Sequence, residues 1–465
     1  MKELVAEYKP RLFELTKISA PIIVEQIFMT VMGMVITAMV SSVGDYAVGA
    51  VGFMDNISNL MIALFAALTT GGAIVVAHHF GRQDRIGASK AGAQSVLLAF
   101  SLSLVIFVIF AVLRREIITA LFGKSELDVL NAAMQYFSII IISYPFLAVN
   151  ETLYGVMRGC GDTGSPMVIT LSMNVLNLML GYILITGIHI FGIHTPGFGV
   201  TGAAVALTIT RFCGMAASAL YIVFKCKVVR LNKLSYFKPD LSIWKNVLGL
   251  GLPTSFESSL FQVGRFITQV FIVNMGAAAL AANTVAGAIT GFINVPGNAL
   301  CLGVMILVGQ RIGRGQVSDV KKISVFGTVV GAFMMGVICF ICIPLIGAFT
   351  SIYNLSPAAA DMFKIVLLVN LIVTPFLWAP AFIPPASLRA TGDVIFTMVI
   401  AIVSMGVFRV VSAYVLGVVL GMGVLGVWIG MYIDWLVRSA VFLWRLLGNG
   451  WGRRLERARN ATTGA

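Results

Sequence analysis

The stretch PIIVEQIFMTVMGM, Pro21–Met34, returns later in the chain as LPTSFESSLFQVGRF, Leu252–Phe266, with Pro253 and Glu257 standing 232 positions after Pro21 and Glu25. The same offset carries Gly44 to Gly276, Ala47 to Ala279, Gly71 to Gly303, and the pair Gly81 and Arg82 to Gly313 and Arg314, without a gap. Further on the offset is 231: MRGCGDT, Met157–Thr163, matches LRATGDV, Leu388–Val394, so R-x-x-G-D occurs twice. GFGVTG, Gly197–Gly202, is then answered by GMGVLG, Gly421–Gly426. The chain is one unit written twice.

Composition says where that unit lives. Of 465 residues, 59% are hydrophobic and only 11% charged, with a mean hydropathy of +0.97. A soluble domain carries about 25% charged residues, so this chain lacks the polar groups to cover a water-facing surface. A spanning helix needs about 20 apolar residues. Twelve segments qualify: 16–40, 48–79, 93–113, 134–156, 166–188, 200–224, 246–273, 278–309, 323–347, 361–386, 394–418 and 424–447. A β-barrel would alternate over about ten residues, whereas 93–113 and 323–346 are almost continuously apolar. The backbone must therefore be satisfied inside helices, and no strand is expected.

The fold class that follows is an all-α polytopic membrane protein, with twelve transmembrane helices in two pseudo-symmetric six-helix lobes. An N-lobe over 1–226 holds spans 1–6, and a cytoplasmic linker covers 227–245 within the basic stretch KCKVVRLNKLSYFKPDLSIWKN. The C-lobe over 246–465 holds spans 7–12 and a basic tail. Six is even, so both copies enter the membrane the same way and are related by an axis along its normal. Such lobes leave a cleft between them, the architecture of an alternating-access carrier.

The net charge of +13 is a matter of orientation, not of nucleic acid. With both termini cytoplasmic, only Arg114, Arg115, Lys124 and Lys364 fall outside, and Arg211, Arg265, Arg409 and Arg438 fall within spans. The other basic residues collect on the cytoplasmic side, as the positive-inside rule requires. The start, MKELVAEYKPRLFELTKISAP, is too charged for the apolar core of a cleavable signal. A multi-pass protein of the cell membrane is expected, working as a monomer, with the lipid bilayer as its surroundings.

These residues resemble the multidrug and toxic compound extrusion (MATE) transporters, of the superfamily that also contains polysaccharide and lipid-precursor flippases. The resemblance rests on the two stretches quoted first, the doubled R-x-x-G-D loops, the G-x-G-V-x-G turns, and VWIGMYIDWLVR, Val427–Arg438. It implies two V-shaped lobes and export of organic cations or drugs in exchange for protons, with sodium as the other coupling ion. It also implies that Glu257 is the cation and proton site of the seventh span. Where the family usually places an aspartate eleven residues after Glu25, this chain has Ile36, and 362–388 contains no acid. Both departures remove ion ligands and favour protons over sodium.

Ionisable groups inside hydrocarbon are costly and are functional candidates by default. Glu257, one turn beyond Pro253, and its repeat partner Glu25 are the expected coupling pair; the competing reading of Glu257 is a salt bridge to Arg265 two turns on. Asp55 with Asn59, Glu151 with Tyr154, Asn174 with Asn177, and Arg265 and Trp378 are candidate cleft-lining residues. Asp434 and Arg438, at i and i+4, read with Arg409 as a structural charge network. His78 and His79 close the second span, and GRQDRIGASK, Gly81–Lys90, reads as a basic cytoplasmic turn. His189 and His194 fall in an outer loop.

Other chemistries lack their residues. No H-E-x-x-H, G-x-S-x-G or P-loop is present, so neither an enzyme nor an ATP-driven pump is expected. The six cysteines, including the pair Cys339 and Cys342, are read as apolar helix residues, and no cofactor or resident metal is implied. The alternative function is export or flipping of a lipid-linked or polysaccharide precursor. Four intramembrane bases against the five acids Glu25, Asp55, Glu151, Glu257 and Asp434 favour cationic cargo instead.

Overall fold

The computed structural model describes residues 2–41, 45–122, 127–187, 189–190, 193–194, 197–226, 229–231, 233–448 and 450–452. The first half contains α1 (Lys2–Ser41), α2 (Asp45–Gly81), α3 (Arg85–Val112), α4 (Arg114–Phe122), α5 (Leu127–Ile140), α6 (Tyr144–Gly159), α7 (Gly164–Thr186) and α8 (Gly199–Phe224). The second contains α9 (Leu241–Val273), α10 (Ala277–Gly313), α11 (Asp319–Cys342), α12 (Ile346–Ile352), α13 (Pro357–Ala390), α14 (Val394–Val403), α15 (Ser412–Tyr414) and α16 (Gly423–Leu447).

Eleven stretches of described residues are long and apolar enough to cross a membrane. The remaining long helix, α9, takes the seventh place in the predicted order of twelve. Its apolarity is diluted by Thr254, Ser255, Glu257, Ser258, Ser259 and Gln262.

Three spans differ from their sequence reading. The fourth is α5 and α6 joined through a 3₁₀ turn at Ile141–Ser143, just before Pro145, which has no N–H to continue the ladder. The ninth leaves α-helical geometry at Cys342, where Pro344 forces a 3₁₀ turn over Ile343–Leu345 before α12. The eleventh, Val394–Val419, is wound as π-helix over Ser404–Val411 and Val415–Val419, a geometry that often marks functional positions. The expectation of no strands is corrected at one place: His189–Ile190 pairs antiparallel with Ile193–His194. The histidine side chains there lie outside the described residues.

The chain forms two compact units, Val24–Ser255, and Met1–Ile23 together with Phe256–Ala465. The first is packed around Met54, Phe65, Phe137, Ile140 and Tyr144. The second is packed around Ile272, Phe363, Leu367, Trp378, Trp428 and Trp435. In the first unit α2 meets the start of α9 so closely that a Cβ on Gly71 would fall 2.2 Å from the Val247 carbonyl oxygen. In the second, the repeat counterpart Gly303 faces Ser19, whose Oγ would lie 2.3 Å from such a Cβ. Both glycines exist because two helices cross there.

The doubled R-x-x-G-D loop is a helix stop followed by a helix start. Gly161 and Gly392 take φ of 84° and 87°, left-handed values that cost a side chain about 1–2 kcal/mol. The Asp162 N–H returns to the Met157 carbonyl and the Asp393 N–H to Leu388, each at 3.0 Å, which satisfies the last carbonyls of α6 and α13. Asp162 Oδ1 then accepts from the Ser165 N–H at 3.0 Å and begins α7. In GRQDRIGASK, Asp84 caps α3 by accepting from the Gly87 N–H at 2.8 Å and pairs with His79 at 2.9 Å.

Candidate functional site

Each copy places its glutamate against the arginine of its own R-x-x-G-D loop. In the first, Glu25 on α1 is buried, and Arg158 Nη2 in the last turn of α6 donates to both carboxylate oxygens at 2.8 Å. Thr170 Oγ1 on α7 donates to Oε1 at 3.0 Å. In the second, Arg389 Nη2 donates to Glu257 Oε1 at 2.7 Å. Glu257 Oε2 and Arg389 Nε are buried with no hydrogen-bond partner among the described residues.

The arginine Nε has no hydrogen-bond partner among the described residues in either copy, so the difference lies at the carboxylate, where Arg158 reaches both oxygens and Arg389 one. A second difference is legible in the sequence. Met167–Thr170, MVIT, is matched at offset 231 by Met398–Ala401, MVIA. Ala401 stands where Thr170 stands, and the hydroxyl is missing. An ion pair in a low-dielectric interior is stable only when its remaining hydrogen-bonding capacity is met. The first pair meets that condition better than the second.

The competing reading of Glu257 is corrected here: its partner is Arg389, carried by the loop motif, and not Arg265 on its own helix. Sequence reasoning missed both arginines because a helix-end base beside a cytoplasmic loop counts toward orientation. The signal was present, since glutamates and arginines recur at nearly the same offset.

The loop aspartates tie the same region to the last span of each copy. Asp162 Oδ2 accepts from Tyr221 Oη at 2.7 Å, and Asp393 Oδ2 accepts from Arg445 Nε at 2.8 Å. Counted from the matching G-x-G-V-x-G turns, Tyr221 and Arg445 are the same position. The tie persists while its chemistry changes.

Asp434, Arg438 and Arg409 sit together in the second unit. Asp434 is fully buried, with Arg438 Nε 2.8 Å from Oδ1, Ser404 Oγ donating to the same oxygen, and Arg409 Nη1 3.9 Å from Oδ2. Arg438 Nη2 also donates to the Ala401 carbonyl at 3.0 Å. The guanidinium carbons of Arg409 and Arg438 lie 5.3 and 5.5 Å from the centre of the Phe261 ring, within cation–π range.

Beside that network is a cavity of about 380 Å³. Phe261, Arg265, Thr268 and Ile272 line it from one face of α9, and Asn283, Thr290, Asn294 and Asn298 from one face of α10. Trp378 and Phe382 close it from α13, stacked at 4.7 Å between ring centres. Arg409 enters from the π-wound segment, and Trp428 and Trp435 from α16. Of the sequence candidates, Arg265 and Trp378 are therefore brought to one cavity. The amides of α10 went unnoticed because single amides in spanning helices usually serve packing.

The other candidates belong to the first unit. Tyr154 is buried, with Arg158 5.6 Å from its ring centre. Asn174 Nδ2 donates to the Thr170 carbonyl on its own helix at 2.8 Å, and Asn177 is buried. Glu151 is half-buried and Asn59 exposed, while the side chain of Asp55 lies outside the described residues.

A duplicated helical bundle with a glutamate–arginine pair in each copy, Glu25 buried and Glu257 half-buried, defines a membrane transport protein of two repeats. The chain belongs to the MatE family: the family's sequence model matches residues 21–183 and again 253–415. A probable multidrug resistance protein NorM of Thermotoga maritima is 27% identical over 457 residues, covering 97% of this chain and 95% of that protein. An uncharacterized transporter, YisQ, of Bacillus subtilis is 28% identical over 444 residues, covering 94% and 95%. Among solved structures, an outward-facing multidrug resistance MATE family transporter of the MOP superfamily superposes with a TM-score of 0.84 at 22% identity, covering 96% of each chain. A MOP superfamily transporter from Pyrococcus furiosus, described as having a binding pocket of reverse polarity, gives 0.80 at 23% identity, covering 95% of each. The fold is that of these transporters.

Proposed function

We propose that this protein is a secondary active exporter of amphipathic organic compounds, multidrug in scope, that exchanges them for protons by alternating access. It works as a monomer in the cell membrane with both termini cytoplasmic. Organic cations are the cargo that the family resemblance implies. The observation that supports exchange is the repeated glutamate–arginine pair, with one oxygen of Glu257 unpartnered.

A proton arriving at Glu257 Oε2 would neutralise the carboxylate and weaken its attraction for Arg389. Two charges 4 Å apart interact by about 4 kcal/mol at an effective dielectric near 20, so this single event changes how firmly α9 is held to α13. Glu25, with both oxygens engaged, is the stiffer counterpart. Protonation and cargo binding each favour one arrangement of the helices, and linkage makes the effect reciprocal. Multidrug scope is supported by the names of the relatives and by an aromatic cavity wall that stacks on flat compounds without reading their edges.

The test is dye efflux from reconstituted vesicles with a proton gradient or a sodium gradient imposed alone. Efflux driven by the proton gradient in the wild type, and at least tenfold slower in Glu257→Gln, is the expected result. Unchanged proton-driven efflux in that variant would overturn the assignment of Glu257.

A further inference from the structure

The geometry points to an anion subsite in the second unit: the cavity beside Arg265 and Arg409 receives the phosphate or carboxylate of an aromatic, amphipathic compound. The proposal names a substrate class for the exporter described above and rests on that reading only for the direction of transport.

Every lining residue belongs to Phe256–Ala465, and the lining contains two arginines and no carboxylate. The nearby acid, Asp434, is held through Oδ1 by Arg438 and Ser404, while Oδ2 makes no hydrogen bond among the described residues and has Arg409 at 3.9 Å. Two guanidinium groups, Arg409 and Arg438, thus face one carboxylate, and the Arg265 side chain lines the cavity with no acid among the lining residues. The balance that favours cationic cargo counts Glu25, Glu257 and Asp434 as available acids. All three are held by arginines.

Hydrogen bonding adds to the charge. Trp435 Nε1 is buried in the lining with no hydrogen-bond partner among the described residues, as is the acceptor Asn294 Oδ1. An indole N–H can only donate. Asn283 is already committed, its Nδ2 donating to Gln269 Oε1 at 3.1 Å and its Oδ1 accepting from Trp428 Nε1 at 2.9 Å. One unused indole donor beside two guanidinium groups forms a site for an oxyanion, and the stacked rings of Trp378 and Phe382 supply a face for its aromatic body.

Glu151 of the first copy corresponds at offset 231 to Phe382 in the second, so the second copy has a ring at the cavity wall where the first carries an acid.

The oxyanion has two sources, a soluble organic anion or an anionic lipid headgroup. The experiment uses the full chain in nanodiscs and follows tryptophan emission, since three of the six tryptophans line the cavity. The probes are naphthyl phosphate and naphthylmethylammonium, which share a ring and differ in charge. Saturable quenching by naphthyl phosphate in phosphatidylcholine discs is expected, at least tenfold weaker in Arg265→Gln and nearly retained in Arg265→Lys, with the ammonium failing to displace it. Binding that disappears in phosphatidylglycerol discs identifies a lipid headgroup, and binding that persists identifies a soluble anion. Equal affinity in Arg265→Gln, or an ammonium that binds as tightly as the phosphate, overturns the proposal. Binding is read without a gradient, so failed proton exchange would leave this result standing, and failed binding would leave exchange untouched.

Discussion

Arg389 holds Glu257 by a single oxygen: Nη2 donates to Oε1 across 2.7 Å, and Oε2 is buried without a hydrogen-bond partner among the described residues. Glu25 differs twice: Arg158 Nη2 reaches both its oxygens, and Oε1 also accepts from the hydroxyl of Thr170, for which the second copy has Ala401. Thr170→Val keeps the shape and removes the donor to Glu25, along with the hydroxyl's contact with Tyr154. A loss of about 1.5–3 kcal/mol is expected, the range for a hydrogen bond to a charged group, read by thermal unfolding in detergent. A Thr170→Val protein as stable as the wild type would show that the hydroxyl does not hold Glu25.

Gly71 and Gly303 are repeat counterparts with different obstacles, and their alanine variants should separate. At Gly71 the new methyl meets the Val247 carbonyl oxygen at 2.2 Å, and backbone cannot turn aside. At Gly303 it meets Ser19 Oγ at 2.3 Å, a hydroxyl that can rotate. Gly71→Ala is expected to cost about 1–3 kcal/mol, the range for overpacking, and Gly303→Ala roughly 1 kcal/mol or less. Yield of folded protein and melting temperature give the order; the reverse order would mean that the helix crossings relax differently from their geometry.

Asp84 supplies a pH test outside the membrane spans. Its carboxyl is held below the usual carboxylate value of 3.8, first by the Gly87 N–H and then by His79. A depressed value means that the ionised cap stabilises the fold above pH 3.8 and that this stabilisation is lost as pH falls through the folded value. Asp84→Ala should therefore cost about 1 kcal/mol at neutral pH, a magnitude held down by the solvent around a side chain 45% exposed. The gap between variant and wild type should close as the pH is lowered below 3.8. A gap that stays constant down to low pH would separate Asp84 from the cap.

How far the chain could be read from its letters differs between the fold and the site. Duplication, the order of the spans and the special status of Glu25, Glu257, Asp434 and Arg438 all follow from periodicity and from the cost of charge in hydrocarbon. The partners of the glutamates do not, because Arg158 and Arg389 lie more than 130 positions away and their loop motif explains itself locally as a turn. Arg265 attracted attention as a partner through helical spacing on α9, which says nothing about where a neighbouring helix ends. The charge balance across the membrane is coarse for a related reason: counting acids and bases ignores which of them pair with one another. The chain breaks at Pro145 and Pro344 were visible as prolines, yet long apolar runs hid their consequence.

The tie between loop and last span offers a comparison inside one molecule. Tyr221 Oη reaches half-buried Asp162 at 2.7 Å, and Arg445 Nε reaches buried Asp393 at 2.8 Å from the same repeat position. Losing the tyrosine hydroxyl removes a hydrogen bond but strands no cation, so Tyr221→Phe should cost about 1–2 kcal/mol. Losing the guanidinium withdraws the charge that faces a buried carboxylate, and breaking such a pair from one side costs about 3–5 kcal/mol. Arg445→Met, which keeps an unbranched side chain but removes both the charge and the guanidinium that lies 4.7 Å from the centre of the Phe396 ring, should therefore be the more damaging change. Arg445→Tyr, which installs the first copy's solution in the second, should recover part of the loss by returning a neutral donor. Melting temperatures of the three variants decide the matter: equal losses in Tyr221→Phe and Arg445→Met would mean that Asp393 draws its stability from elsewhere in the loop, and that the exchange of tyrosine for arginine between the copies is energetically silent.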